Sequence, residues 1–229
     1  MFSEIKKISS LLLSVAFSSI GFIASITVTV LAAREVSSNP LFVGFPNAVG
    51  VGGAVLGTRM IYLISKTNSQ LNALAFTFLI GAFGGAIMFY SLIIDSFLLL
   101  LLGAFILGIG QSATLQTRYA ASFVAGTKFK ATALSLAVWF SVFGSVFGPR
   151  MVGSYSNFFE NIFNSDLIVG YVIAFVGMLF AAASLLTFTS KKSILRSPSD
   201  LENESSDQSS KRKNGNLLSL LLVLNHFTM

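Results

Sequence analysis

The polar residues of one apolar stretch are spaced so that they could line a binding cavity. Gln111, Thr114 and Arg118 recur at i, i+3 and i+7, which places them on one face of a helix. A polar group among apolar residues is costly unless it faces protein or water, so this face predicts the wall of a small-molecule cavity. A second interpretation fits equally well: Arg118 anchors the helix at an interface, and Gln111 bonds a neighbouring helix.

Small residues form stripes on several other stretches. Ser14, Ser18, Gly21 and Ser25 lie at i, i+4, i+7 and i+11, and small side chains at this spacing let two helices approach closely. Helix packing is the general interpretation, and the serine-bearing face alone also predicts a polar cavity wall. Two further stripes at the same spacing run over Pro46, Gly50, Gly53 and Gly57 and over Gly170, Ala174, Gly177 and Ala181.

Groups for catalysis or metal binding are not clustered along this sequence. Membrane enzymes need grouped carboxylates, a Ser/His pair or metal ligands, whereas the acidic residues here lie at the ends of apolar stretches, in loops or in the tail. There is no cysteine, and the single histidine, His226, has no partner nearby in the sequence. The sequence therefore predicts neither an enzyme nor a bound metal or cofactor.

The overall composition indicates that most of the chain lies in lipid. Apolar residues make up 54% of the 229 residues and charged residues only 10%, and the mean hydropathy is +0.79. The net charge of +6 comes from Lys and Arg residues that sit beside the apolar stretches and in the tail, with no basic face interleaved with aromatics. We therefore expect a lipid bilayer as the main partner and no nucleic acid.

Six apolar stretches are long enough to cross a membrane. A hydrocarbon core of ~30 Å needs about 20 residues of helix. The predicted spans are 8–33, 40–65, 71–94, 96–119, 131–154 and 167–190. The fold class predicted for residues 1–190 is thus all-α, a multi-pass bundle of six transmembrane helices, in which Asp95 marks a tight hairpin between the third and fourth spans.

The positive charges predict the orientation of the bundle. With the N-terminus inside, eleven Lys and Arg residues fall on the cytoplasmic side, while only Arg34 and Arg150 fall outside. This asymmetry predicts a cytoplasmic N-terminus in the cell membrane, with Arg59 and Arg118 reaching the inner headgroups from within their spans.

The amino-acid composition of the tail changes twice. Residues 191–215 are polar and charged, which predicts a disordered cytoplasmic linker. Residues 216–229 are apolar again, but as a helix they reach only about 21 Å, short of the hydrocarbon core. This segment is predicted to be either an interfacial helix or the start of a truncated seventh span.

The fifth span contains a glycine–proline motif that resembles a known family. Gly144, Gly148, Pro149 and Gly153 form a G-x-x-x-G-P-x-x-x-G segment, in which the proline bends the helix and the glycines let it pack tightly. The segment is similar to the antiporter motif of the major facilitator superfamily, found in its drug-efflux branches. The span number, the internal N-terminus and the polar stretch after span six resemble that family too, whereas loop 65–70 lacks its acidic and arginine-rich cluster.

The resemblance implies one half of a twelve-helix transporter. Such a protein moves a small-molecule substrate by alternating access, so a missing C-terminal six-helix half or a second copy of this chain is the implied partner. A rival from another class is a six-span scaffold or assembly protein that transports nothing and whose basic linker contacts anionic lipid.

Overall fold

The computed structural model describes residues 2–37, 40–67, 69–163 and 165–188, and within these ranges the chain is an α-helical bundle. All six of its α-helices are long and apolar enough to span a membrane, which confirms the predicted fold class. The segments predicted as linker, 191–215, and as truncated seventh span, 216–229, lie outside the described residues.

The helices begin and end close to the positions predicted from hydropathy. They are α1 (Phe2–Val36), α2 (Phe45–Thr67), α3 (Gln70–Ile93), α4 (Phe97–Val124), α5 (Gly126–Phe163) and α6 (Ile168–Phe188), with a short 3-10 turn at Pro40–Phe42. The largest difference is at the C-terminal end of α5, which continues past residue 154 to Phe163, and α4 and α5 also extend beyond the apolar stretches at their connection. Gly126 makes this reversal possible because its φ of 71° lies in the left-handed region that glycine adopts without steric cost.

The predicted hairpin between the third and fourth spans is confirmed. Asp95 takes a φ of 53° between α3 and α4, a conformation that aspartate tolerates better than most residues. Ser96 then caps α4, because its hydroxyl accepts a hydrogen bond from the Leu99 backbone nitrogen at 3.4 Å.

All six helices pack into one bundle, in which α3 packs on α6 and α1 on α4 in addition to the main pairs. Helix α1 packs chiefly on α6 and α5, and α4 packs chiefly on α3 and α2. Because short connections join successive helices, the N-terminus of α1 and the C-terminus of α6 lie at the same end of the bundle, which is called here the N-terminal end. Glu35, Asp95 and Asp166 lie at the opposite end.

Glycines bring α2 and α4 into backbone contact. A Cβ atom added to Gly53 would lie 2.0 Å from the carbonyl oxygen of Phe105, and one added to Gly108 would lie 2.0 Å from that of Gly50. Side chains at these positions would force the helices apart, so the small-residue stripe of α2 is a packing surface, as its spacing predicts.

Buried hydroxyl groups are mostly satisfied by their own helix. Thr77 and Thr117, for example, donate to the carbonyl groups of Ala73 and Ala113 at 2.8 and 2.7 Å. Since lipid offers no hydrogen-bond partner, this backbone bonding is what allows serine and threonine to lie within the spans.

Helices α2 and α5 are covered far less than the others. In their most apolar 18-residue windows, 17% and 28% of the residues are buried, compared with 50% or more in the other four helices. Their outer faces carry large apolar side chains, among them Val55 and Trp139, which are 67% and 66% exposed. These two faces are therefore available to lipid or to a further helical bundle.

Candidate functional site

A cavity of about 240 Å³ opens among α1, α2, α3 and α4, between the middle of α4 and the end of the bundle at which α2 begins. Its polar lining residues are Ser25, Thr29, Asn47 and Gln111. Its walls are otherwise apolar and include Phe22, Ile26, Val51, Met88, Ala104 and Leu107. An apolar cavity with a few polar groups is typical of a small-molecule site.

Ser25 and Thr29 lie one turn apart on α1 and form one polar edge of this cavity. The Thr29 hydroxyl donates to the Ser25 carbonyl at 2.7 Å, and the Ser25 hydroxyl donates to the Met88 sulfur at 4.0 Å. A thioether is a weak acceptor, so the Ser25 hydroxyl could be released to a ligand at little cost.

Asn47 and Gln111 supply the two carboxamides of the cavity. Asn47 lies in the first turn of α2, and Gln111 lies at the middle of α4. A carboxamide both donates and accepts hydrogen bonds, so this pair could bind uncharged donors or acceptors of a ligand. The predicted candidates Ser25 and Gln111, from different helices, are thus brought together at one cavity.

The other two candidate serines of α1 are held by their own helix. Ser14 donates to the Leu11 carbonyl at 2.8 Å, and Ser18 donates to the Val15 carbonyl at 3.2 Å. Both are buried, and neither lines the cavity that contains Ser25. A role for them in binding stays a prediction.

Thr114 and Arg118 continue the face of Gln111 towards the N-terminal end of the bundle. Thr114 is 3% exposed, and its Oγ1 has no hydrogen-bond partner among the described residues. The Arg118 side chain is half-buried, and its buried Nε likewise lacks a partner there. These two residues do not line the cavity, but they have hydrogen-bonding groups that the described bundle leaves unused.

The glycine–proline motif of α5 has two environments. A Cβ added to Gly144 would lie 2.5 Å from the Ser19 side chain, and one added to Gly148 would lie 3.0 Å from backbone atoms of α1. Gly153, by contrast, has nothing within 4 Å of such an atom, and Pro149 is exposed. Gly144 and Gly148 of the motif therefore pack against α1, whereas Pro149 and Gly153 lie on an open surface.

Asn47 and Thr29 belong to the cavity and were not identified from the sequence. Asn47 could have been suspected, because a carboxamide directly after Pro46 is unusual in an apolar stretch. Thr29 gives no such signal, since threonine occurs in transmembrane helices for many reasons. In the described part of the chain, no three His, Cys, Asp or Glu residues come close enough together to hold a metal ion.

Two proteins of Bacillus subtilis (strain 168) are similar to this chain. YdeG, an uncharacterized MFS-type transporter, is 30% identical over 173 residues, which is 76% of this chain and 40% of YdeG. YddS, also an uncharacterized MFS-type transporter, is 30% identical over 183 residues, which is 80% of this chain and 42% of YddS. The chain thus spans about 40% of the length of these relatives. No family model matches the chain, and no solved structure matches it.

Proposed function

Because this chain belongs to the major facilitator superfamily, we propose that it forms one six-helix half of a secondary transporter of small molecules. The other half would be a C-terminal bundle or a second copy of this chain. Substrate would bind between the halves, and rocking of one bundle against the other would give access to each side of the membrane in turn. The efflux direction is proposed on the glycine–proline motif alone.

The main support for this proposal is the cavity between α1 and α4, beside the poorly covered helix α2. A cavity with two carboxamides is of little use to a scaffold, whereas a transporter half needs a polar site near the middle of the membrane. The exposed faces of α2 and α5 would receive the second half.

The proposed transport role predicts that water reaches the side chain at position 111, and this access can be measured. The chain has no cysteine, so Gln111→Cys introduces a single thiol. We expect a membrane-impermeant maleimide to label this thiol at least tenfold faster than that of Phe83→Cys, because maleimides react with the thiolate, which forms in water and not in lipid. Phe83 is a matched control, since it is 65% exposed and its neighbour Gly84 packs against Leu107 at a similar depth. Equal labelling would favour the scaffold.

The proposed orientation places the N-terminal end of the bundle in the cytoplasm. Reporter fusions after Lys66, Lys130 and Arg196 should all give a cytoplasmic signal, because Lys and Arg residues resist translocation. A fusion after Asp95, in the hairpin at the opposite end, should give an external signal. External signals at any two of the three basic positions would contradict the orientation.

Energy coupling by protons would need a group outside this bundle. The acidic residues of the helices and their connections are Glu4, Glu35, Asp95, Glu160 and Asp166, and all of them lie at or beyond the ends of the spans. A proton carrier in a membrane is usually a carboxylate or histidine that faces a cavity. If transport is proton-driven, we propose that the carrier belongs to the second half.

A further inference from the structure

The cavity among α1, α2, α3 and α4 has no charged residue in its lining. Its polar lining residues carry two carboxamides and two hydroxyls, and the others are apolar residues or glycine. Along the four helices and their connections, the charged residue nearest in sequence to the lining is Arg34, which follows Thr29 by five residues. Five residues place Arg34 about 7.5 Å further along α1 and about 140° around it. Its side chain is exposed, so it points away from the cavity.

The polar groups of the lining differ in how far they are already used. The Thr29 hydroxyl donates to the Ser25 carbonyl at 2.7 Å and accepts a hydrogen bond from the Tyr171 hydroxyl at 3.5 Å. The side chains of Asn47 and Gln111, by contrast, make no hydrogen bond with the described residues. Each carboxamide has two N–H donors and a carbonyl acceptor. The unused hydrogen-bonding capacity of the cavity is therefore uncharged and both donating and accepting.

Two kinds of occupant fit this lining poorly. An ion would lose its hydration without meeting an opposite charge, which is costly inside a membrane protein. A lipid acyl chain would fill the apolar part but leave the carboxamides of Asn47 and Gln111 without partners, and a buried polar group without a partner also costs free energy. An uncharged molecule with an apolar body and an amide-like group avoids both costs.

The volume of the cavity limits the size of such a ligand. It measures about 240 Å³, whereas an apolar cavity of about 150 Å³ is sufficient to hold benzene. We propose that the cavity binds an uncharged molecule about the size of one substituted aromatic ring, or such a portion of a larger molecule, through an amide-like group that pairs with Asn47 and Gln111. This inference rests on the proposed function, because it names the class of substrate that this half takes, but binding is measured without transport.

Fluorine NMR with three matched compounds tests the ligand class. Para-fluorobenzamide, para-fluorobenzoate and para-fluorobenzamidinium have the same shape and the same number of non-hydrogen atoms, but near neutral pH they are uncharged, negative and positive. Each is titrated with the purified 229-residue chain in phosphatidylcholine nanodiscs, and empty nanodiscs give the partition into lipid. We expect the chain to bind the benzamide at least about tenfold more tightly than either ion, because the ions gain no opposite charge in the cavity.

Gln111→Leu separates binding in the cavity from binding elsewhere on the chain. It should weaken binding of the benzamide at least about fivefold, since leucine has a similar size and cannot form hydrogen bonds. Gln116→Leu is the matched control: Gln116 lies on the same helix outside the lining, and this variant should bind as the wild type does. Size-exclusion profiles establish that the variants are folded, and Asn47→Leu provides the same test if Gln111→Leu is not.

Three results would overturn the proposed ligand class: equal binding of the three compounds, binding of none of them, or unchanged binding by Gln111→Leu and Asn47→Leu. None of these results by itself contradicts the transporter role, which fails instead if Gln111→Cys is labelled no faster than Phe83→Cys. Fast labelling together with preferred binding of an ion would leave the transporter role standing and show that the ligand is charged.

Discussion

Replacement of Gly53 by leucine is expected to abolish the folded yield of this protein, whereas the same change at the adjacent Gly52 should leave the yield nearly unchanged. A Cβ atom at Gly53 would lie 2.0 Å from the Phe105 carbonyl oxygen and 2.9 Å from its carbon. Because these are backbone atoms, no side-chain rotation can relieve the overlap, and α2 would have to separate from α4. We expect a cost of at least about 3 kcal/mol, a large part of the stability of most domains.

Gly52 provides a control one residue away on the same helix. A Cβ at this position would meet nothing within 4 Å, and leucine is a better helix former than glycine. Both variants add the same side chain to the same apolar stretch, so a difference between them cannot come from hydrophobicity or insertion. Monodisperse yield and melting temperature in detergent would be compared; similar values for Gly53→Leu and Gly52→Leu would mean that α2 and α4 do not pack as described.

Much of the fold could be predicted because a membrane imposes few choices. Each span must be a helix, and its length is set by the bilayer, so hydropathy alone located all six. The turn at Asp95 was predictable for the same reason, since a single charged residue between two long apolar stretches leaves room only for a hairpin. The ends of α4 and α5 were less predictable, because both helices continue through residues that no longer have to be apolar.

Helix partners could not be predicted from the small-residue stripes. Gly53 of α2 and Gly144 of α5 have similar sequence surroundings, yet one packs on α4 and the other on α1. Gly153 continues the α5 motif and faces open space. Spacing indicates that a face can approach another backbone closely, but the three-dimensional arrangement of the helices decides which backbone it meets.

The candidate site was partly predictable for a related reason. Gln111 and Ser25 stood out as polar residues in apolar spans, and they line one cavity. The same reasoning selected Ser14, whose hydroxyl bonds to its own helix. A hydroxyl that is satisfied locally and one that faces a cavity look identical in sequence, whereas a carboxamide such as Gln111 is harder to satisfy within one helix and is the more informative residue.

The 229-residue chain alone is expected to insert into a membrane and to give no saturable flux. Alternating access needs two bundles with the substrate site between them, and a single bundle leaves α2 and α5 facing lipid. Insertion should survive, because the buried hydroxyls are largely satisfied within their own helices and the exposed faces of α2 and α5 are apolar. We therefore expect this chain to insert normally and to transport nothing.

Flux into liposomes measured against the number of chains per vesicle separates the possible outcomes. The substrate would be a compound that a full-length relative such as YdeG is shown to move under the same conditions, with that relative as the positive control. Flux that rises linearly from one chain per vesicle would contradict the prediction, because a single bundle would then be sufficient. Flux that rises with the square of the chain number would mean that two copies of this chain act together, which the parallel repeat symmetry of the family permits. If flux is absent at every density and appears when the C-terminal half of the relative is co-expressed, this bundle needs a second one for transport. Leucine at Gly153, which has open space around it in the single bundle, should then reduce the rescued flux without reducing insertion.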